Sequence, residues 1–280
     1  MHIDILDCYS TPPKPREYVL PGLIAGVAGS IVSPGGQGKS MLSLMLAHCI
    51  AGSVDLLGLG RFKSGPVAYL SAEDGGDVLH ERLHSIGARL TLEQRQACAD
   101  SLLIVDLTQH TPDLLNGTQA HEWRAFVERA ATGRRLLLLD TLRSVHSGDE
   151  NDGTDMAVLV GHLRAIAART GCAIVFLHHA SKALAVSGQG DMQQASRGSS
   201  VLTDNIRWQS YLAGMTPDEA KKLGIEHERR GFYVRFGLSK QNYGAPLPEV
   251  WFERGEGGVL APVELHQVST KGGRKHEGAY

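Results

Sequence analysis

Residues 33–40 read SPGGQGKS. Glycines at 35, 36 and 38 let backbone N–H groups turn inward around an anion, and Lys39 adds a point charge to the same place. Ser40 offers a hydroxyl to a divalent cation. A helix starting here would aim its positive end at that anion. This is the chemistry of a nucleoside triphosphate held by its β- and γ-phosphates. The P-loop template, GxxxxGK followed by Ser or Thr, is met except at its first position, where Ser33 replaces Gly. Gly35, Gly36, Gln37, Gly38, Lys39, Ser40 and Met41 are therefore the candidate contacts to ATP, or another NTP, with Mg2+.

Two carboxylates complete the set. Residues 134–140 read RRLLLLD, a buried strand ending in Asp140. That is the Walker B arrangement, in which the carboxylate holds Mg2+ through water. The candidate metal residues are thus Ser40 and Asp140. Glu73 ends another apolar strand, YLSAED, where it could take a proton from an attacking water. Asp74 competes for this role. Adjacent strand residues face opposite ways, so one of the two is expected in the site, and Glu73 is preferred.

Residues 172–182 read CAIVFLHHASK. The His pair suggests metal at first sight, but neighbouring strand residues diverge, and no Cys or carboxylate sits at zinc spacing. A polar residue at this strand's end could instead contact the γ-phosphate. Residues 183–199, ALAVSGQGDMQQASRGS, read as a mobile loop flanked by Lys182 and Arg197.

These residues need a scaffold. Strands are expected at Gly29 to Val32, Pro66 to Asp74, Leu102 to Asp106, Arg135 to Asp140 and Cys172 to His178. Helical patterns fall at Lys39 to Gly52, over residues 77–99 with Val78, Leu79, Leu83 and Ile86 on one face, at His121 to Ala131 and at Met156 to Arg169. Short apolar strands alternating with helices predict an α/β fold with a mostly parallel central sheet and helices on both faces. After residue 200 the pattern changes. Val201 to Leu212, Arg230 to Ser239 and Val250 to Phe252 read as strands that could extend the sheet as antiparallel edges. Residues 1–20 are Pro-rich and irregular, 21–265 form one domain without a separating linker, and 266–280 read as a flexible basic tail.

Composition narrows the class. With 280 residues, 28 Lys plus Arg and 30 Asp plus Glu, the net charge is −2. That excludes a histone-like or tail-driven nucleic-acid binder, though not a protein that gathers its basic groups in one channel. No window approaches the ~18 apolar residues of a membrane span. The N-terminus lacks the basic and apolar regions of a signal peptide. Cys8, Cys49, Cys98 and Cys172 are scattered, as expected of reduced thiols in the cytoplasm.

In order, SPGGQGKS, YLSAED, RRLLLLDTLR, FLHHASK and RGSSVLTDNIRW resemble RecA-like ATPases of the hexameric replicative DNA helicases, plasmid RepA type. The likeness runs from about Tyr18 to Leu260. It implies a RecA-like core, a homohexameric ring, and 5′-to-3′ movement on single-stranded DNA driven by NTP hydrolysis. Initiator and primase would be partners in plasmid replication. The resemblance matches Lys39 and Ser40 to Walker A, Asp140 to Walker B, Glu73 to the catalytic glutamate and His179, rather than His178, to the phosphate sensor. It matches residues 180–198, with Lys182 and Arg197 at hand for DNA, to one channel loop, and the acidic stretch 143–155 to the other. A ring of this kind also needs a cation from the neighbouring subunit. Arg207 is the first candidate and Lys240 the second, with Asn242 where related rings often carry an Arg. For the nucleobase, Tyr243 could stack on one face and Arg82 cover the other.

Related bacterial helicases carry a large N-terminal domain. Here the P-loop begins near residue 33, so assembly is expected to rest on the core and on residues 1–20. A RecA-like recombinase, an accessory or regulatory P-loop ATPase and a small-molecule kinase are the competing readings.

Overall fold

The computed structural model describes residues 2–150, 152–179, 200–244 and 247–268. The chain begins with a short helix, α1 (Ile5–Ser10), capped by the Asp4 carboxylate. A small antiparallel hairpin follows, β1 (Tyr18–Leu20) and β2 (Leu23–Ile24). The expected irregular segment is therefore partly ordered, and Val19 and Leu20 already belong to the core.

The central elements are β3 (Ala28–Ser33), α2 (Lys39–Ala51), β4 (Val67–Ser71), α3 (Gly76–Gly87), α4 (Leu92–Ser101), β5 (Leu102–Asp106), α5 (Ala120–Ala131), β6 (Leu136–Asp140), α6 (Gly153–Thr170) and β7 (Ala173–His179). Four further strands follow: β8 (Trp208–Gly214), β9 (Tyr233–Gln241), β10 (Val250–Arg254) and β11 (Leu260–Val263). Nine strands form one sheet in the order β11-β10-β9-β8-β3-β7-β6-β4-β5. From β8 to β5 all neighbours are parallel, whereas β8 to β11 run antiparallel to one another in turn. The expected α/β class holds. The change of direction falls between β8 and β9, so β8 is a parallel neighbour of the P-loop strand and not an antiparallel edge.

Alternate residues of the buried strands feed two cores. Val67 and Tyr69, Leu136 and Leu138, and Val175 and Leu177 face the core that holds α2. Ala68 and Leu70, Leu137 and Leu139, and Ile174 and Phe176 face the other, with Val127 of α5 and Leu163 of α6. This period of two carries on to the strand ends, where the chemistry lies.

Three sequence expectations change. The single helix over residues 77–99 is two, because Thr91 and Gln94 form a reciprocal capping box that starts α4. Of its expected apolar face, Leu79 and Ile86 are buried but Val78 is 39% exposed. The stretch from Val201 begins as a helix, Ser200–Asn205, which packs on α6 before β8 starts. Its Leu202 and the following Ile206 are buried in the second core, so packing overrides the local strand preference of Val and Thr. Residues 230–232 form a 3-10 turn before β9.

Candidate functional site

The site forms where β3, β4, β6 and β7 end together. β3 runs buried to Ser33 and α2 begins at Lys39, so the chain must reverse within five residues. Gly36 and Gly38 make this possible with φ of +74° and +87°. A cavity of about 360 Å³ opens above the turn. It is bounded by Gly36, Gly38, Lys39, Ser40 and Met41, by Glu73, Asp74 and Arg82, by His179, and by Arg254, Gly257 and Gly258.

Lys39 is only 5% exposed. Its Nζ donates to the Ser33 carbonyl at 3.4 Å and lies 3.1 Å from Nδ1 of His179. Burial lowers its pKa, and the charges of Asp140 and Glu73 hold it up. The ammonium thus waits beside α2's N-terminus, where an anion gains from the helix dipole as well.

Asp140 is fully buried. The Tyr69 hydroxyl donates to its Oδ2 at 2.5 Å, and its Oδ1 has no hydrogen-bond partner. Burial raises its pKa. Hydrogen bonds from Tyr69 and Ser40 lower it, and Glu73 and Asp74 repel its charge. A buried carboxylate oxygen without a donor, beside a hydroxyl, fits a hard cation with oxygen ligands. Ser40 and Asp140 can hold Mg2+ if water and phosphate oxygens fill its remaining positions. Among the described residues no group of three His, Cys, Asp or Glu could cage a metal by itself.

Glu73 and Asp74 both border the cavity, so the expected division onto opposite faces does not apply: β4 ends at Ser71 and the two residues sit beyond the pleat. Their partners separate them instead. Asp74 is ion-paired with Arg82, while Glu73 Oε2 lies 3.5 Å from Nε2 of His179 and is half exposed. His178 turns to the other face of β7, where its Nδ1 is 3.9 Å from Glu150 of the loop after β6. Burial pushes the His178 pKa down. Of the two histidines, His179 faces the cavity.

Arg207, Lys240 and Tyr243 do not. Gly29 of β3 pairs with Trp208, so Arg207 sits at the start of the P-loop strand. Five residues at ~3.3 Å each place it about 17 Å from the P-loop end. Its side chain is exposed, and its backbone is pinned to Ala28 and Asn242. Lys240 pairs with Gln209 at the same end and donates to the Thr203 carbonyl at 2.7 Å. Tyr243 lies next to Arg207's neighbour Asn242, with the Arg16 guanidinium 5.1 Å above its ring. Tyr243 and Arg82 therefore cannot sandwich one base within a single chain, as expected from sequence. They lie at opposite ends of the sheet, and Arg82 is held by Asp74. Lys182 and Arg197 lie outside the described residues.

Sequence reasoning missed Tyr69 and Arg254. Tyr69 reads as one more core aromatic in a buried strand, and nothing local marks it. Arg254 ends β10, and its guanidinium reaches the P-loop, donating to the Gly36 carbonyl and to Gln37 Oε1, each at 3.2 Å. Gln37 packs in turn on Gly214, where a Cβ would come within 2.8 Å of its Oε1.

A family model described as AAA domain matches residues 3–185. Among solved structures, the ATPase domain of a helicase superposes with a TM-score of 0.57 at 16% identity, covering 85% of this chain and 85% of that one. The RadB recombinase superposes with a TM-score of 0.55 at 12% identity, over 86% of this chain and 93% of that one. At such identities the likeness is one of fold: a RecA-like P-loop ATPase core. No helix among the described residues is long and apolar enough to cross a membrane.

Proposed function

The chain belongs to the AAA domain family, and on that footing we propose that it is an NTP-hydrolysing ring helicase of the plasmid RepA type. In this reading a homohexamer moves 5′-to-3′ along single-stranded DNA in the cytoplasm and unwinds duplex during plasmid replication, with initiator and primase as partners. The likeness to a helicase ATPase domain is compatible with it. So is the order of sequence motifs from SPGGQGKS to DNIRW.

The observation that carries the ring is the placement of Arg207. An exposed cation pinned to the far end of the P-loop strand cannot reach its own cavity. It can serve the cavity of a neighbour packed against that end. The ion there would meet charge developing on the γ-phosphate, as trans arginines do in other phosphoryl-transfer systems. Within one chain, Glu73 takes the proton of the attacking water, Lys39 steadies the phosphates, and His179 contacts the γ-phosphate. Mg2+ held by Ser40 and Asp140 would neutralise phosphate charge.

The test is NTP turnover with and without single-stranded DNA, followed by unwinding of a 5′-tailed fork. Turnover stimulated by DNA with unwinding supports the helicase. DNA stimulation without unwinding would favour a recombinase or accessory ATPase, and turnover indifferent to DNA would favour a regulatory ATPase.

A further inference from the structure

The cavity holds a second unclaimed cation. Arg254 is tucked under the P-loop, and burial lowers its pKa with no acidic group opposing the shift. Among the described residues it makes no ion pair, and its buried Nε lacks a hydrogen-bond acceptor. Its two terminal nitrogens rest on neutral oxygens, the Gly36 carbonyl and the Gln37 amide. The other cavity arginine differs: Arg82 is neutralised by Asp74. A guanidinium taken out of water without a counter-ion is costly unless an anion completes it.

The backbone around Arg254 is built to bring it there. β10 runs parallel to β3, since two antiparallel steps separate it from β8, which is itself parallel to β3. Its C-terminal end therefore lies on the P-loop side of the sheet. The turn after it passes through Gly257 and Gly258, with φ of +65° and +77°. Gly257 presses against Ser85 of α3 so closely that a Cβ would collide with the Ser85 hydroxyl. Gly258 faces Met41. The β10–β11 turn is thereby fixed as the cavity wall opposite Glu73 and His179, and Arg254 projects from it toward the phosphate loop.

We propose that Arg254 binds the phosphate chain of the nucleotide in its own subunit, as a forked partner to the point charge of Lys39. This deepens the nucleotide-site reading above and rests on it. A planar fork can bond two phosphate oxygens at once, which an ammonium cannot. The site is then made from two distant parts of the chain, the P-loop and the C-terminal hairpin.

The experiment is displacement of a fluorescent ADP analogue from the full chain by ATP and by inorganic tripolyphosphate, for wild type, Arg254→Gln and Arg254→Lys. Loss of a charge-assisted hydrogen bond predicts that Arg254→Gln weakens both competitors by about ten- to hundred-fold. Arg254→Lys, which keeps the charge and loses the fork, should fall between. Thermal melting of the nucleotide-free variants reports the fold, and if Arg254→Gln melts early the lysine variant carries the test alone. Equal weakening of ATP and tripolyphosphate supports the proposal. Unchanged affinities overturn it, and so does a loss confined to ATP, which would put Arg254 on the nucleoside. If wild type binds no nucleotide while correctly folded, the nucleotide-site reading itself fails.

Discussion

Nζ of Lys39 and Nδ1 of His179 lie 3.1 Å apart, joining the first turn of α2 to the end of β7. On its other side the His179 ring meets Glu73 at 3.5 Å. The three groups come from three elements, separated by 34 and 106 residues in the chain. Only the adjacency of β3 and β7, with β4 two strands further on, makes them one site. A γ-phosphate entering between Lys39 and His179 would replace a contact between two nitrogens with contacts to oxygen.

Glu73 is the proposed base, so Glu73→Gln should lower turnover by roughly 10²–10⁴-fold, the usual range for a general base. Nucleotide affinity should stay near wild type, since the phosphate cradle is untouched. Stopped turnover with retained binding of the fluorescent ADP analogue is the expected pair of results. Wild-type turnover would remove Glu73 from the role.

Arg207 should act across an interface. Arg207→Ala alone is expected to lose on the order of 10³-fold or more, by analogy with arginine fingers. Mixing inactive Arg207→Ala with inactive Glu73→Gln should restore part of the activity. In mixed rings some sites combine an intact Glu73 with an intact neighbouring Arg207. A mixture no more active than its parts would mean that Arg207 works within one chain or not at all.

Acid should destabilise the fold through three histidines. Burial is the leading cause that pushes the pKa values of His48, His146 and His178 down from 6.5. The folded protein therefore binds fewer protons than the unfolded chain as pH drops. Their contribution is fully present above about pH 6.5 and is lost progressively as pH falls toward and through the folded-state values. Melting temperature should hold from pH 7 to 8 and decline below 6.5. His146 buries both ring nitrogens without a close hydrogen-bond partner, so His146→Gln should flatten part of that slope.

The N-terminal arm offers assembly without fold. Ile3, Ile5, Leu6 and Tyr9 are 60–82% exposed, and α1 buries none of its residues. Deleting residues 1–15 should weaken the ring in native mass measurement while the melting temperature of the remaining chain stays put. Extending the deletion to residue 20 removes Val19 and Leu20 from the core and should lower it. A hexamer unaltered by the shorter deletion would end this role for the arm.

Gly257→Ala forces a side chain into a left-handed backbone position and against Ser85. A cost of about 1–3 kcal/mol is expected from the backbone alone. Because the turn walls the cavity, nucleotide affinity should fall with stability. A variant with both unchanged would show that the turn yields freely.

Local spacing was enough for the phosphate loop, the Walker B strand and the alternation of strands and helices. Each is written in consecutive residues: glycines that free a turn, a lysine at a helix start, four leucines before an aspartate. Which face each strand turned was not written there. β6 and β7 are buried on both sides, so their residues are apolar throughout and leave no alternation to read. His178 and His179 were therefore equivalent until the sheet placed Val175, Leu177 and His179 on the α2 side. The same holds for contacts closed by long chain separations. Tyr69 meets Asp140 because β4 and β6 pair in register, and Arg254 reaches Gly36 because three antiparallel strands carry the chain back to the P-loop end of the sheet. Sequence by itself determined the chemistry on offer and the fold class. The tertiary structure alone decided which side chains share the cavity and which are turned away from it, because strand order and register are set by the packing of the whole sheet.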